Sequence, residues 1–146
     1  MIARLLAPLI LAACTAQTGT PAFSTMSPGA MPADTVNMVR LAAGRSAVRS
    51  SAPAEAAARR HAEDLARSGR TGHRGSDGST HAQRLRAAGC GRGVENVAWG
   101  MPTDRDALAA WMASEAHRRN LLWPEARVYG LARAGDRWVL VLSEGC

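Results

Sequence analysis

Three side chains in this 146-residue chain have types that could work as one set: His73, Glu95 and His117, each 22 positions after the last. Two neutral imidazoles and a carboxylate form an open set of ligands for a divalent metal such as Zn²⁺, with a coordination position left for water or substrate. The same residues would serve a metal-assisted hydrolase. There the histidines hold the ion, and Glu95 is a third ligand or the base that takes a proton from bound water. No short His-x-x-x-His element links them, so the spacing by itself is a weak signal. Structural roles stand beside the chemical one: a glutamate followed by asparagine can hold a loop through backbone hydrogen bonds, and a histidine can satisfy a buried polar partner.

The neighbours of His117 sharpen the question. In "WMASEAHRRNLLWP", residues 111–124, a continuous helix would put Ser114 and His117 on one face, with Glu115 turned away. Ser114 is therefore expected beside His117 in a cavity, and Glu115 outward. Arg118 and Arg119 read as a solvated face, and Asn120 as a partner of nearby backbone. No Gly-x-Ser-x-Gly nucleophile elbow is present, which favours a binding or scaffold module over an enzyme.

Local signals assign the elements that must position these groups. Asp34 is a plausible N-cap for a helix ending at Gly44, with Val36, Val39, Met38 and Leu41 facing inward. Ser51-Ala52-Pro53 opens a second helix that runs to Gly69, with Ala58, Ala62 and Leu65 as its apolar line. His61 within it reads as a packing or surface histidine. The glycines of residues 70–79 make a loop that carries His73. A short helix over 80–88 follows, with His81 expected to face solvent, and then "VENVAWG" as an extended piece. Thr103, with Asp106 three residues later, predicts a capping box for a helix whose Leu108, Trp111 and Met112 are core. Two β segments, Val128 to Ala132 and Trp138 to Leu142, flank an Ala-Gly-Asp turn and predict a hairpin. Trp99, Trp123 and Trp138 are expected to cover the sheet or rim a cavity. Helices followed by a hairpin indicate an α+β domain with an antiparallel sheet.

Composition narrows the partners. All 18 basic residues are arginine, the formal net charge is +6, and aromatic residues make up 4%. The arginines are spread through the helices rather than interleaved with aromatics, so nucleic acid is not an expected partner. The N-terminus has one arginine and an apolar run from Leu5 to Leu11, too short to span a bilayer and laid out as a secretory signal. Leu11-Ala12-Ala13-Cys14 resembles the bacterial lipobox. On that reading residues 1–13 are a lipoprotein signal peptide, Cys14 is lipidated, and residues 14–33 are a disordered tether to a domain over 34–146. A plain signal peptide cleaved elsewhere is the alternative. Thr15, rather than aspartate, follows the cysteine, which favours the outer membrane, with the domain in the periplasm or at the surface. The remaining cysteines, Cys90 and Cys146, could pair in an oxidising compartment or stay as free thiols.

The order of these pieces resembles the CAP superfamily, the cysteine-rich secretory, antigen 5 and pathogenesis-related proteins, in its short bacterial SCP-like form. The resemblance covers roughly Asp34 to Leu142. "MVRLAAGRSAV" is similar to the family's opening helix, "AARRHAEDLA" to the second, and "GHRGSDGSTHAQRLRAAG" to its His…Asp-Gly…Arg…Gly stretch. "VENVAWG" is similar to Glu-Asn-x-Ala, and "WMASEAHRRNLL" to Trp-x-x-Ser-x-x-His-Arg-x-Asn-Ile-Leu. The resemblance implies a three-layer α-β-α sandwich with a cavity beside a central antiparallel sheet; a monomer is expected. It further implies two histidines and two glutamates lining that cavity, with divalent metal bound there in some members. His73, Glu95 and His117 would be three of the four, and Ser114 stands at the place of the second glutamate. A lipid, sterol-like or envelope ligand is the implied partner, with a membrane reached through the lipid anchor. Bacterial relatives usually carry Pro-Gly before the histidine, which breaks the helix, whereas this chain has Glu115-Ala116.

Overall fold

The computed structural model describes residues 35–146. The expected signal peptide, lipidated Cys14, tether and Asp34 cap lie outside the described residues. No helix among the described residues is long and apolar enough to cross a membrane. In chain order the elements are α1 (Thr35–Ala42), β1 (Arg49–Ser50), α2 (Ala52–Ser68), α3 (His81–Ala87), β2 (Gly93–Trp99), α4 (Asp104–Ala113), α5 (Glu115–Leu121), β3 (Val128–Ala134) and β4 (Arg137–Ser143).

The strands form one sheet in the order β1-β3-β4-β2. β3 and β4 make the expected hairpin, and β2 lies antiparallel on the other side of β4, with Glu95 opposite Val141. The sheet is mixed rather than wholly antiparallel, because β1 pairs parallel to β3 at Arg49–Val128 and Ser50–Tyr129. Two residues are too short to carry any periodic hydrophobic signal, so this strand has no signature in the sequence.

Alternation along the strands makes three layers, since successive side chains point to opposite faces. On one face Val97, Val139 and Val141 pack with Ala54, Ala57, Ala58, Ala62 and Leu65 of α2 and Leu85 of α3. On the other, Ala98, Trp138, Leu140 and Leu142 meet Val36 of α1, Leu108 and Trp111 of α4 and Leu121 of α5. The α2 face is close-packed because its residues are small. At Gly130 of β3 a Cβ would overlap the backbone of Ala54 and Glu55, so only glycine lets the start of α2 settle there.

The caps follow the sequence closely. Thr103 and Asp106 form the reciprocal capping box of α4, Thr80 and Gln83 form another on α3, and Gly69 closes α2 at a φ of 67°. α1 departs from expectation: Val36 is buried, but Met38 and Leu41 are 54% and 59% exposed. Its inward face instead includes a buried arginine. Arg40 donates from Nη1 to the carbonyls of Leu121 (2.8 Å) and Trp123 (3.1 Å) and from Nε to Ser46 O (3.1 Å), tying α1 to the end of α5.

Cys90 and Cys146 form a disulfide, with Cα atoms 3.9 Å apart and a sequence separation of 56. It joins the segment entering β2 to the segment leaving β4.

Candidate functional site

The chemical groups gather around β2, which lies at an edge of the sheet. Consecutive residues of this strand face opposite layers, and this sorts the site. Glu95 shares the face of Val97 and turns toward α2 and α3, whereas Asn96 turns toward α5.

Glu95 is 3% exposed, and its carboxylate is held from several sides. Arg84, on α3, donates from one Nη2 to Oε1 (3.1 Å) and Oε2 (2.9 Å). Nδ1 of His73, in the loop after α2, lies 3.0 Å from Oε1. Nε2 of His61, on α2, lies 3.7 Å from the same oxygen. Arg84 also binds the loop itself, donating to the carbonyls of His73 (2.9 Å) and Ser79 (2.8 Å), so one guanidinium fixes both the acid and the backbone that carries the imidazole. Gly75 leaves room within this loop for its polar side chains, since a Cβ there would lie 2.6 Å from Asp77 Oδ1 and 2.7 Å from Ser79 Oγ.

The protonation states follow from these partners. Burial pushes the Glu95 carboxyl up, but the hydrogen bonds from His73 and Arg84 and the Arg84 charge outweigh it and hold the group below its ordinary value. The bond to Glu95 raises the His73 imidazole, against the cost of burial. Burial dominates at His61 and lowers it, so that ring stays neutral and donates from Nε2 to Gly72 O at 3.0 Å. His117 is lowered as well, first by burial and then by the charge of His73, which places the two rings within electrostatic reach of each other.

On the α5 side, Asn96 donates to His117 O at 2.9 Å, and Asn120 donates to Glu95 O (3.1 Å) and Asn96 Oδ1 (3.0 Å). Asn120 therefore bonds backbone as expected, and it stitches α5 onto the edge strand. The helix does not run through this region as the continuous-helix argument assumed. Ser114 takes an extended conformation, with φ −96° and ψ 123°, and separates α4 from α5. It is half-buried, its carbonyl accepts from Arg118 N at 2.8 Å, and its hydroxyl caps neither helix. Glu115 is exposed and pairs with Arg119 at 2.5 Å.

A cavity of about 240 Å³ is lined by His73, His81, Val94, Glu95 and Asn120. His81, expected to face solvent, is half-buried here, because the N-cap at Thr80 turns the first residue of α3 over the loop. Of the three sheet tryptophans, Trp138 is buried with Nε1 bonded to Met101 O, Trp123 lies under Arg92, and Trp99 is 52% exposed.

The three-ligand metal set does not fit this arrangement. Both Glu95 oxygens are engaged by Arg84 and one also by His73, and no three His, Cys, Asp or Glu side chains among the described residues form a group able to hold an ion. His73 and Glu95 are in direct contact, while His117 approaches on α5, across the strand from the Glu95 side chain.

The two participants that sequence reasoning missed are Arg84 and His61. Arg84 stood inside a quoted motif, but nothing local marks an arginine on a short helix as the partner of a carboxylate 11 residues on. The signal for His61 was its position four residues after Ala57 and one before Ala62, on the apolar side of α2.

The profile of the cysteine-rich secretory protein family, CAP, matches residues 33–141. No curated protein matches the chain significantly. Among solved structures, an extracellular protein containing an SCP domain from Bacillus anthracis superposes with a TM-score of 0.70 at 21% identity, over 74% of this chain and 37% of that one. An outer surface protein from Borrelia burgdorferi gives 0.69 at 19% identity, over 76% and 87%. A cysteine-rich secretory protein from Staphylococcus aureus gives 0.59 at 19%, over 75% and 35%. The chain thus spans little more than a third of the first and third of these proteins, and the likeness to all three is one of fold.

Proposed function

Since the chain belongs to the cysteine-rich secretory protein (CAP) family, we propose that it is an exported binding module, anchored to the bacterial envelope through a lipid on Cys14. The extracellular and outer-surface descriptions of its structural neighbours support export. The observation that carries the binding reading is the state of Glu95: a carboxylate clamped by Arg84 and His73 is neither a free ligand for an ion nor a free base for water. What is left to act is the cavity beside it.

Its size limits the occupant. About 240 Å³ corresponds to roughly eight water volumes and falls below the roughly 300–1,000 Å³ of sites that enclose drug-sized ligands. A hollow of this size suits a head group better than a whole sterol or acyl chain. With Glu95 negative, Arg84 positive and His73 drawn toward its imidazolium form, the local charge is positive, which suits a phosphate or carboxylate head group of an envelope lipid.

Calorimetric titration of the full chain with glycerol phosphate and phosphoethanolamine tests this reading. Saturable heat that disappears in His73→Ala is expected; no saturable heat with either compound rejects it. One observation favours a hydrolase using His73, Glu95 and His117: Glu95 orients His73 from Nδ1, while half of that side chain is exposed. Steady turnover of a peptide or ester, lost in His73→Ala, would replace binding with catalysis.

A further inference from the structure

A groove of about 770 Å³ lies between α2, the loop of residues 75–79 and α3, lined by Arg84 and sharing no lining residue with the head-group cavity. Its rim is a helical stripe. Arg60, Glu63, Asp64 and Arg67 recur at spacings of three and four residues on α2, and Gln83 of α3 faces them. We infer that this groove is a second binding site, separate from the cavity beside His73, and that it takes an uncharged polyhydroxylated ligand, a stretch of envelope glycan.

Charge is the first argument. The groove has three cationic residues, Arg60, Arg67 and Arg84, and three acidic ones, Glu63, Asp64 and Asp77. Neither a polyanion nor a polycation gains from such a lining, because each added charge meets repulsion as well as attraction. Several of these groups are already satisfied within the protein: Arg67 binds Asp64 at 2.9 Å, Asp64 accepts from Ser76, and Asp77 accepts from Ser79 N at 2.8 Å. They hold the walls in place, while the exposed Arg60 and Glu63 offer a donor and an acceptor to an occupant. A ligand rich in hydroxyls, each able to donate and accept, matches this alternation, whereas an apolar ligand would strand the polar lining.

The groove floor supplies the second, independent argument. His61 is 1% exposed and Arg84 9% exposed, and both line the groove. With His61 Nε2 donating to Gly72 O, its Nδ1 is an acceptor, and it has no hydrogen-bond partner. Nε of Arg84 is a donor, and it also has none. Buried polar atoms without partners are uncommon and need a physical account. Hydroxyls of an occupant at the floor would accept from the Arg84 guanidinium and donate to the His61 ring, giving each of the two atoms a partner.

The test is a titration of the full chain, purified in detergent, with neutral oligomers of glucose and of N-acetylglucosamine, followed by calorimetry and by NMR of the histidine rings. The expected result is saturable binding of one oligomer series that shifts the His61 resonances and leaves those of His117 in place. Affinity should fall at least about tenfold, a loss of about 1.4 kcal/mol, in the exposed double variant Arg60→Ala/Glu63→Ala at an unchanged Tm. His73→Ala should bind the oligomer as the parent does, which separates this site from the head-group cavity. No saturable binding with either series, or binding that survives the double variant, overturns the inference.

Discussion

The two faces of the sheet are built by different rules. On the α2 face the contacts are alanine, valine and leucine, one glycine admits the helix backbone directly, and the polar interior is a network around Glu95 in which an arginine and two histidines converge. The opposite face is filled by Trp111, Trp138 and leucines, carries two exposed apolar side chains on α1, and joins its helices through a break at Ser114. Small residues bring backbones close and leave room for buried charge only where partners are supplied from three elements. Large residues fill space while tolerating irregular helix ends. The chemistry sits where the first arrangement meets the sheet edge.

The contrast can be broken most severely at Arg84. Arg84→Ala leaves the buried Glu95 carboxylate without its cation, and a loss of about 3–5 kcal/mol is expected in denaturant unfolding. That loss should shrink as pH falls and Glu95 takes up a proton. Opening the Cys90–Cys146 bridge loosens both faces together, because it ties the segments entering β2 and leaving β4. Cys146→Ser is expected to cost about 2–4 kcal/mol by the same measurement. Asn120→Ala acts only on the seam between α5 and β2, and the loss of its two bonds should cost about 1–3 kcal/mol, with faster amide exchange in α5 and little change in α2.

A pH series sharpens the comparison further. His73 is raised above its ordinary 6.5 by Glu95, so its contribution is fully present below that value and is lost as pH climbs through the raised one. Glu95 is lowered from 4.5, so its contribution is present above that value and is lost as pH falls through the lowered one. His61 is also lowered, and acidification costs stability there as well. The Tm deficit of His73→Gln should therefore be largest below about pH 6.5 and close at alkaline pH. A deficit independent of pH would mean that the imidazole–carboxylate bond contributes nothing. The smallest effect is expected on α1, where Met38→Ser and Leu41→Ser should each stay within about 0.5 kcal/mol, since both side chains already face solvent.

How far each feature could be read before the structure depends on the range of the interaction behind it. The cap at Thr103 and the helix stop at Gly69 act over three or four residues and were legible, as was the β3–β4 hairpin around Gly135-Asp136. The disulfide was open in sequence because pairing is decided by distance across the fold. β1 left no trace, since its two residues are a strand only by virtue of Val128 and Tyr129. The candidate site was half legible: the types and order of His73, Glu95 and His117 stood out. Their grouping depends on strand alternation at Glu95-Asn96 and on Arg84, which no local pattern announces. The helix break at Ser114 was not legible for a related reason. Glu115-Ala116 tolerates helix, so nothing local announces the extended conformation of Ser114 that separates α4 from α5.

The seam made by Asn120 has a meaning beyond the site. A strand at a sheet margin offers unpaired amides and carbonyls to any other strand, and chains that leave such a margin open invite end-on polymerisation. Here the Glu95 carbonyl at one margin is occupied by a side-chain amide from α5, and the strand at the other margin, β1, is only two residues long. The contact that anchors α5 thereby also closes one acceptor of the sheet margin to the addition of a foreign strand.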